Sequence, residues 1–196
     1  MSQPTKAAPK AAERILSTAG ELFYREGTRA VGVDEIVARA GATKPSLYRA
    51  FESKDQLIAA YLKGEADRFW TCFEEAVSAH PDDPKARILA YFEGLGARAV
   101  KPGYRGCGLT NAAVEYPEPT HPGRIVSVEH KQELRERLRA MAKAMGARKP
   151  KKLADSLLLL IEGVFVTSQL FGGEGPAGAA RGAAQALIEA HTRDGA

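Results

Sequence analysis

Apolar residues recur along this chain at steps of three and four positions, which is the spacing of one face of an α-helix. Between residues 84 and 100, for example, Ile88, Phe92, Leu95 and Ala99 follow one another in this way. No stretch alternates apolar and polar residues as a half-buried strand does. The chain has 196 residues, of which 44% are hydrophobic and 27% charged, and we therefore predict an all-α globular protein.

Glycine and proline divide this pattern into about nine predicted helices. Gly27 and Gly41 follow the first two, because glycine readily adopts the backbone conformation that ends a helix. Pro81 and Pro84 bracket the end of the long fourth helix, and Pro102 breaks the chain after the fifth. The predicted helices cover residues 10–26, 33–40, 43–50, 54–79, 84–100, 105–115, 122–145, 151–171 and 177–193.

The segment 31–62 contains two short helices joined by a tight turn at Ala40-Gly41-Ala42. We expect Thr43 to cap the second of them and Pro45 to lie in its first turn, where a missing N–H costs nothing. Leu47 and Phe51 face inwards and leave a polar outer face. A short anchored helix with a free polar face suits insertion into the major groove of DNA. The alternative is a packed helical hairpin in some unrelated protein.

Charge supports the interpretation as a DNA-binding segment. Residues 1–64 hold ten Lys/Arg and seven Asp/Glu, a net charge of +3, against +4 for the whole chain, and phosphates attract such a surface. Tyr48 can donate its hydroxyl to a phosphate, and Lys54 begins a helix whose N–H groups could bind the same phosphate. Lys44 and Arg49 could reach a base edge or the backbone. The predicted DNA-binding residues are Thr43, Lys44, Pro45, Ser46, Tyr48, Arg49 and Lys54.

The same region resembles the TetR family of bacterial regulators over residues 10–62. The match rests on the combined pattern rather than on any single element of it. The residues that carry it are Ala19, Leu22, Phe23, Gly27, Val33, Ile36, Ala40-Gly41, the run Thr43 to Tyr48, Phe51, Ser53-Lys54 and Leu57. One position departs, since Gly32 stands where similar proteins place Ser or Thr, so we assign no side-chain phosphate contact there.

The resemblance implies a two-fold homodimer whose three-helix heads bind double-stranded operator DNA, with residues 43–50 as the recognition helix. It also implies a divergent helical body that binds a small-molecule inducer. We accordingly divide the chain into a flexible arm at 1–9, a helix-turn-helix domain at 10–54, and a ligand-binding and dimerisation domain at 55–196. The expected function is that of a repressor released from its operator by a small molecule. An activator, or a regulator without an effector, is the nearest alternative.

The body is interpreted mainly from its pattern. The eighth helix is apolar over most of its circumference and the ninth is rich in small residues, so two copies could form a four-helix dimer interface. Burial of both helices within one monomer is the alternative. Aromatic side chains and a few polar groups between head and interface suit a ligand pocket, although each could equally be plain core. The predicted pocket residues are Phe69, Trp70, Phe73, Tyr91, Phe92, Tyr104, Cys107, Asn111, Glu115, His130, Phe165 and Gln169.

A second hypothesis concerns Cys107. It follows Arg105 and opens a predicted helix, and both features favour a reactive thiolate. A repressor that senses electrophiles or oxidants through Cys107 is therefore an alternative, beside a small cysteine that simply packs well. A thiol enzyme and a helical interaction protein without DNA are further alternatives, although no local catalytic signature supports the enzyme.

The remaining expectations concern metals, cofactors and location. The two cysteines and four histidines show no metal-ligand spacing, and no cofactor is indicated. The first residues are polar, and the longest apolar run, Leu157 to Ile161, is far too short to span a bilayer. We therefore expect a cytoplasmic protein with no membrane partner.

Overall fold

A computed structural model describes residues 10–192 of the chain; the arm predicted at residues 1–9 lies outside them. The all-α prediction is confirmed, because these residues form nine α-helices and no strand. The helices are α1 (Ala11–Glu26), α2 (Val33–Arg39), α3 (Lys44–Ala50), α4 (Lys54–Ser78), α5 (Pro84–Ala99), α6 (Gly108–Glu115), α7 (Pro122–Ala144), α8 (Pro150–Phe171) and α9 (Ala180–Thr192).

The first three helices pack into a small head. Ile15, Ile36 and Leu47, one from each helix, are fully buried where the three meet. Gly41 has φ +57°, as the tight turn between α2 and α3 requires. The Arg14 side chain of α1 donates to the carbonyl oxygens of Ala40 and Gly41, at 3.4 and 3.5 Å, and so ties the turn to α1.

Two predicted helices begin later than expected. Helix α6 was predicted from residue 105 and begins at Gly108, because Gly106 has φ +69°. A Cβ on Gly106 would come within 2.6 Å of the Phe165 carbonyl oxygen, so this loop lies directly against α8. The last helix was predicted from residue 177 and begins at Ala180. Two short 3-10 turns precede it, at Gly172–Glu174 and Pro176–Ala179.

Side-chain pairs fix the directions of the body helices. Helices α4 and α7 run parallel, since the Asp55 carboxylate lies 3.5 Å from His121 at the head end and Glu74 pairs with Arg137 further along. Helix α8 returns antiparallel to α7, because Lys131 bonds Glu162 and Arg135 bonds Asp155. Contacts of Lys85 with Glu189 and of Glu93 with Arg181 set α5 and α9 antiparallel.

Helix α8 is only partly covered. Leu153, Leu157 and Ile161 are fully buried, whereas other apolar side chains of the same helix remain open to solvent. With the turn after it, α8 is long and apolar enough to cross a bilayer by length and composition alone, and one side of it packs against α5, α7 and α9. The exposed apolar side chains of α8 are Leu159 (73%), Val166 (48%), Leu170 (70%) and Phe171 (60%).

Candidate DNA-recognition surface and body cavity

Helix α3 has the construction that its sequence predicts. The Thr43 Oγ1 atom accepts from the Ser46 backbone N–H at 3.3 Å and lies 3.0 Å from the Ser46 hydroxyl. Pro45 is in the first turn, and Leu47 is fully buried beneath the helix. The helix is thus anchored from one side.

The opposite side of α3 is open. The Tyr48 side chain is 49% exposed and directs an aromatic ring and a hydroxyl into solvent. Arg49 is exposed as well, and within residues 10–192 its guanidinium has no hydrogen-bond or ion-pair partner. These two side chains are available for a nucleic acid.

Lys44 is placed differently from its neighbours. Its ammonium lies 2.7 Å from the Asp34 carboxylate of α2, and this hydrogen bond raises the pKa of Lys44 above its ordinary value. A contact with a phosphate or base would therefore compete with Asp34.

Lys54 lies at the first position of α4. Its Nζ atom donates to the Arg29 carbonyl oxygen at 3.4 Å, and partial burial lowers its pKa. The preceding Ser53 caps α4 by accepting from the Gln56 N–H at 3.1 Å. At the start of α2, Gly32 supplies no side-chain cap, in agreement with the departure noted from the sequence.

A cavity of about 820 Å³ lies where the head meets the body. One wall is α1, with Leu16, Ser17, Gly20 and Tyr24, and another is α4 from Ala60 to Cys72. Helix α5, the loop before α6 and α8 complete it. Five of the twelve predicted pocket residues line it: Phe69, Tyr91, Tyr104, Cys107 and Phe165.

Four other predicted pocket residues lie around one aromatic cluster outside the cavity lining. Phe73 and Phe92 are core residues, 2% and 0% exposed. Trp70 packs beneath Arg137, whose guanidinium carbon lies 4.0 Å from the centre of the ring. His130 is buried, with its ring centre 4.6 Å from that of Phe69. Most of these aromatic side chains therefore belong to the hydrophobic core and do not line the cavity.

The last three predicted pocket residues make structural hydrogen bonds. Asn111 donates to the Arg105 carbonyl oxygen at 2.9 Å and lies 3.4 Å from Gln169, which itself donates to the Phe165 carbonyl oxygen. Glu115 contacts the head, where it accepts from the Thr28 hydroxyl at 2.7 Å.

Sequence reasoning missed the contribution of the head to the cavity. It also missed Tyr24, Tyr61 and Arg98, which all line the space. Tyr61 falls on the buried face of α4 and could have been chosen on the same grounds as Tyr91. Nothing in the sequence indicated that α1 forms a wall of the cavity, because a helical pattern does not specify which neighbouring helix covers its buried face. Within residues 10–192, no three His, Cys, Asp or Glu side chains cluster as metal ligands.

Comparison with known proteins gives a family match in the N-terminal part of the chain. The family model described as bacterial regulatory proteins, tetR family, matches residues 15–61. The HTH-type transcriptional activator FasR of Mycolicibacterium smegmatis is 35% identical over 83 residues. That match covers 41% of this chain and only 38% of the activator.

Several solved structures match nearly the whole chain. A TetR-family transcriptional regulator from Streptomyces coelicolor is 28% identical, with a TM-score of 0.88 over 93% of this chain and 96% of that one. A putative TetR transcriptional regulator from Streptomyces avermitilis is 30% identical, with a TM-score of 0.85 over 95% of this chain and 100% of that one. The likeness therefore includes the body as well as the head.

Proposed function

The chain belongs to the TetR family of bacterial transcriptional regulators, and on that premise we propose that it is a cytoplasmic, DNA-binding repressor released from its operator by a small molecule. The observation that carries the proposal is α3, a capped helix anchored by Leu47 whose outer face presents Tyr48 and Arg49. Family membership also favours a regulator over the thiol enzyme considered from the sequence.

The proposed DNA contacts follow from the geometry of α3 and α4. Arg49 reaches a base edge or a phosphate, and Tyr48 donates to a phosphate. Lys54 and the N-terminal N–H groups of α4 bind a further phosphate. Thr43, Pro45 and Ser46 form the leading turn of the recognition helix, and Lys44 joins them by exchanging its bond with Asp34 for one with DNA.

Two heads must be held together to address successive major grooves, about 34–36 Å apart. We propose that α8 and α9 dimerise, because Leu159, Gly163, Val166 and Leu170 form one exposed stripe along α8. Their spacing of four, three and four residues is that of a helix–helix contact. Residues 10–54 then act as the DNA-binding domain and residues 55–196 as the ligand-binding and dimerisation domain.

Release is proposed as a shift of populations. Helix α4 starts in the head and also lines the cavity, and α1 of the head forms another wall. A molecule in the cavity thus contacts both helices and favours a conformation in which α4 has swung and the heads no longer fit adjacent grooves. By reciprocity, DNA weakens the binding of that molecule by the same factor.

A gel-shift titration with the DNA upstream of the protein's own gene tests the proposal, with unrelated DNA of equal length for comparison. Arg49→Ala should weaken binding by about 1–3 kcal/mol. Tyr48→Phe should weaken it by roughly 0.5–1.5 kcal/mol. Arg87→Ala, in the first turn of α5, is the matched control and should bind normally. Normal binding by both head variants would contradict the assignment of this face.

A second candidate, sensing of electrophiles or oxidants by Cys107, is favoured by one contact. The Lys131 ammonium lies 3.6 Å from the Cys107 sulfur, and this sulfur lines the cavity. Cys72 also lines the cavity, so Cys72→Ser protein isolates Cys107. Alkylation of that protein should release DNA, and Cys107→Ser should abolish the response; unchanged DNA affinity after complete alkylation would remove this candidate.

A further inference from the structure

The cavity contains two buried hydroxyl groups without partners. Tyr61 and Tyr91 both line it and are 4% and 1% exposed. Within residues 10–192, neither phenol oxygen has a hydrogen-bond partner. Leaving a buried polar group unpaired costs about 1–3 kcal/mol, so an acceptor atom brought into the cavity would be bound favourably there.

These two phenols act as donors. Burial raises the pKa of both Tyr61 and Tyr91 far above the ordinary value of a tyrosine, so both keep their protons at neutral pH. Tyr24, on the α1 wall, differs from this pair, because its hydroxyl accepts from the Arg105 N–H at 2.8 Å and donates to the Gly106 carbonyl oxygen. Tyr61 and Tyr91 are therefore the buried phenols of the cavity that have no partner within residues 10–192.

Arg98 brings a positive charge to the cavity. It lines the cavity from α5, and within residues 10–192 it has no carboxylate partner. A Cβ on Gly94 would come within 3.3 Å of its Nη1 atom, so the guanidinium lies close against α5. The other arginine of the cavity, Arg68, is already paired with Glu65.

The charged side chains are unevenly distributed along the cavity. Glu13 and Glu21 of α1 also line the cavity, but both are exposed and lie at its edge. They repel an anion at the mouth, whereas Arg98 attracts one further in. The intervening walls are apolar, with Leu16, Phe69 and Phe165 among the lining side chains.

We propose that this cavity binds an apolar aromatic molecule carrying an oxyanion, which pairs with Arg98 while its oxygens accept from Tyr61 and Tyr91. The aromatic part lies against Phe69 and Phe165. The volume of about 820 Å³ is in the range of sites for drug-sized ligands. The role of this molecule as the effector rests on the proposed function; its binding does not.

Two fluorescent probes that differ by one anionic group test the proposal on the full chain without DNA. They are 8-anilinonaphthalene-1-sulfonate and N-phenyl-1-naphthylamine, which has the same rings and no sulfonate. The sulfonate should bind about tenfold more tightly, as expected for a hydrogen bond to a charged group. Equal affinities, or tighter binding of the uncharged probe, would overturn the proposal.

Variants locate the binding. Arg98→Gln should weaken the sulfonate probe about tenfold and leave the uncharged probe unchanged. Tyr61→Phe and Tyr91→Phe should each weaken it by roughly two- to tenfold. Arg39→Gln and Tyr116→Phe, outside the cavity, are matched controls and should change neither probe.

Two additional variants test where the probes bind and whether the charge of Arg98 is what the sulfonate requires. Ala60→Trp fills the cavity and should abolish binding of both probes, whereas binding to the exposed stripe of α8 would survive it. Arg98→Lys keeps the charge and should retain most of the sulfonate affinity. Sulfonate affinity that is indifferent to Arg98 in every folded variant would overturn the proposal.

A last comparison separates this inference from the function. If the chain shows no specific DNA binding but the probes respond to Arg98, the cavity assignment stands and the regulator proposal fails. If DNA binds and the sulfonate probe displaces it, both are supported. If the probe occupies the cavity and DNA affinity is unchanged, the effector role of the site is overturned.

Discussion

His130 shows how a single residue can be buried without a polar partner. It is 4% exposed, lies between Phe69 and Trp70, and within residues 10–192 neither ring nitrogen has a hydrogen-bond partner. Burial, followed by the charges of Lys131 and Arg137, lowers the pKa of His130 to about 4. The imidazole is therefore neutral at neutral pH and acts as part of the aromatic core.

This lowered pKa predicts a pH dependence of stability. In the unfolded chain His130 titrates near pH 6.5, at about the ordinary value, so between pH 6.5 and about 4 the unfolded state binds more protons. The free energy of unfolding should therefore fall as the pH drops through this window.

His130→Met removes the titrating group and should flatten this part of the profile. The measurement is urea unfolding of both proteins at about pH 7.5, 6 and 5. His80→Met, an exposed histidine beyond the end of α4, is the control and should keep the wild-type profile. If the free energy of unfolding of the His130 variant fell with pH as steeply as that of the wild-type protein, the lowered pKa of His130 would be contradicted.

At the scale of elements, the end of α6 connects body and head. The Glu115 carboxylate accepts from the Thr28 hydroxyl at 2.7 Å and from the Arg29 N–H at 2.8 Å. The Arg29 guanidinium in turn donates to the Glu115 carbonyl oxygen at 3.0 Å. Gly27 has φ +92°, and a Cβ there would approach the carboxylate to 3.2 Å. The Glu115 side chain thus connects the body to the loop between α1 and α2, and the Tyr116 ring adds a contact, with its centre 5.6 Å from the Arg29 guanidinium carbon.

Glu115→Ala should loosen this connection. Thr28 is buried and would lose its bond to the carboxylate, so the free energy of unfolding should fall by about 1–3 kcal/mol. Limited proteolysis should cut the loop between α1 and α2 faster, and thermal denaturation should show the loss of stability. Glu118→Ala, an exposed neighbour, is the matched control. Unchanged stability and cleavage would show that other contacts hold the head.

At the scale of the whole molecule, the exposed apolar stripe of α8 predicts self-association. Leu159 and Leu170 are 73% and 70% exposed, and burying apolar surface contributes roughly 25 cal/mol per Å². Leu159→Glu combined with Leu170→Glu should convert a dimer into a monomer in analytical ultracentrifugation. The monomer should also lose most of its affinity for a two-site operator.

Val114→Glu is the matched control for this pair. Val114 is an equally exposed apolar side chain, at 80%, but it lies on α6 outside the stripe. Its substitution should leave the sedimentation of the protein unchanged. A double α8 variant that sediments like the wild-type chain would contradict dimerisation through this helix.

The sequence by itself determined the helices and the construction of α3, because both depend on neighbours only a few residues apart. Thr43 caps α3 and Gly41 makes the turn through local backbone geometry. The spacing of Ile88, Phe92 and Leu95 places them on one buried face for the same reason.

The tertiary structure alone decided the cavity. Tyr91 of α5, Tyr61 of α4 and the α1 wall are far apart along the chain and meet only through packing. Helical periodicity identifies a buried face, but it does not specify which helix covers that face. It therefore could not distinguish Phe69, which lines the cavity, from Phe73 one turn later, which fills the core.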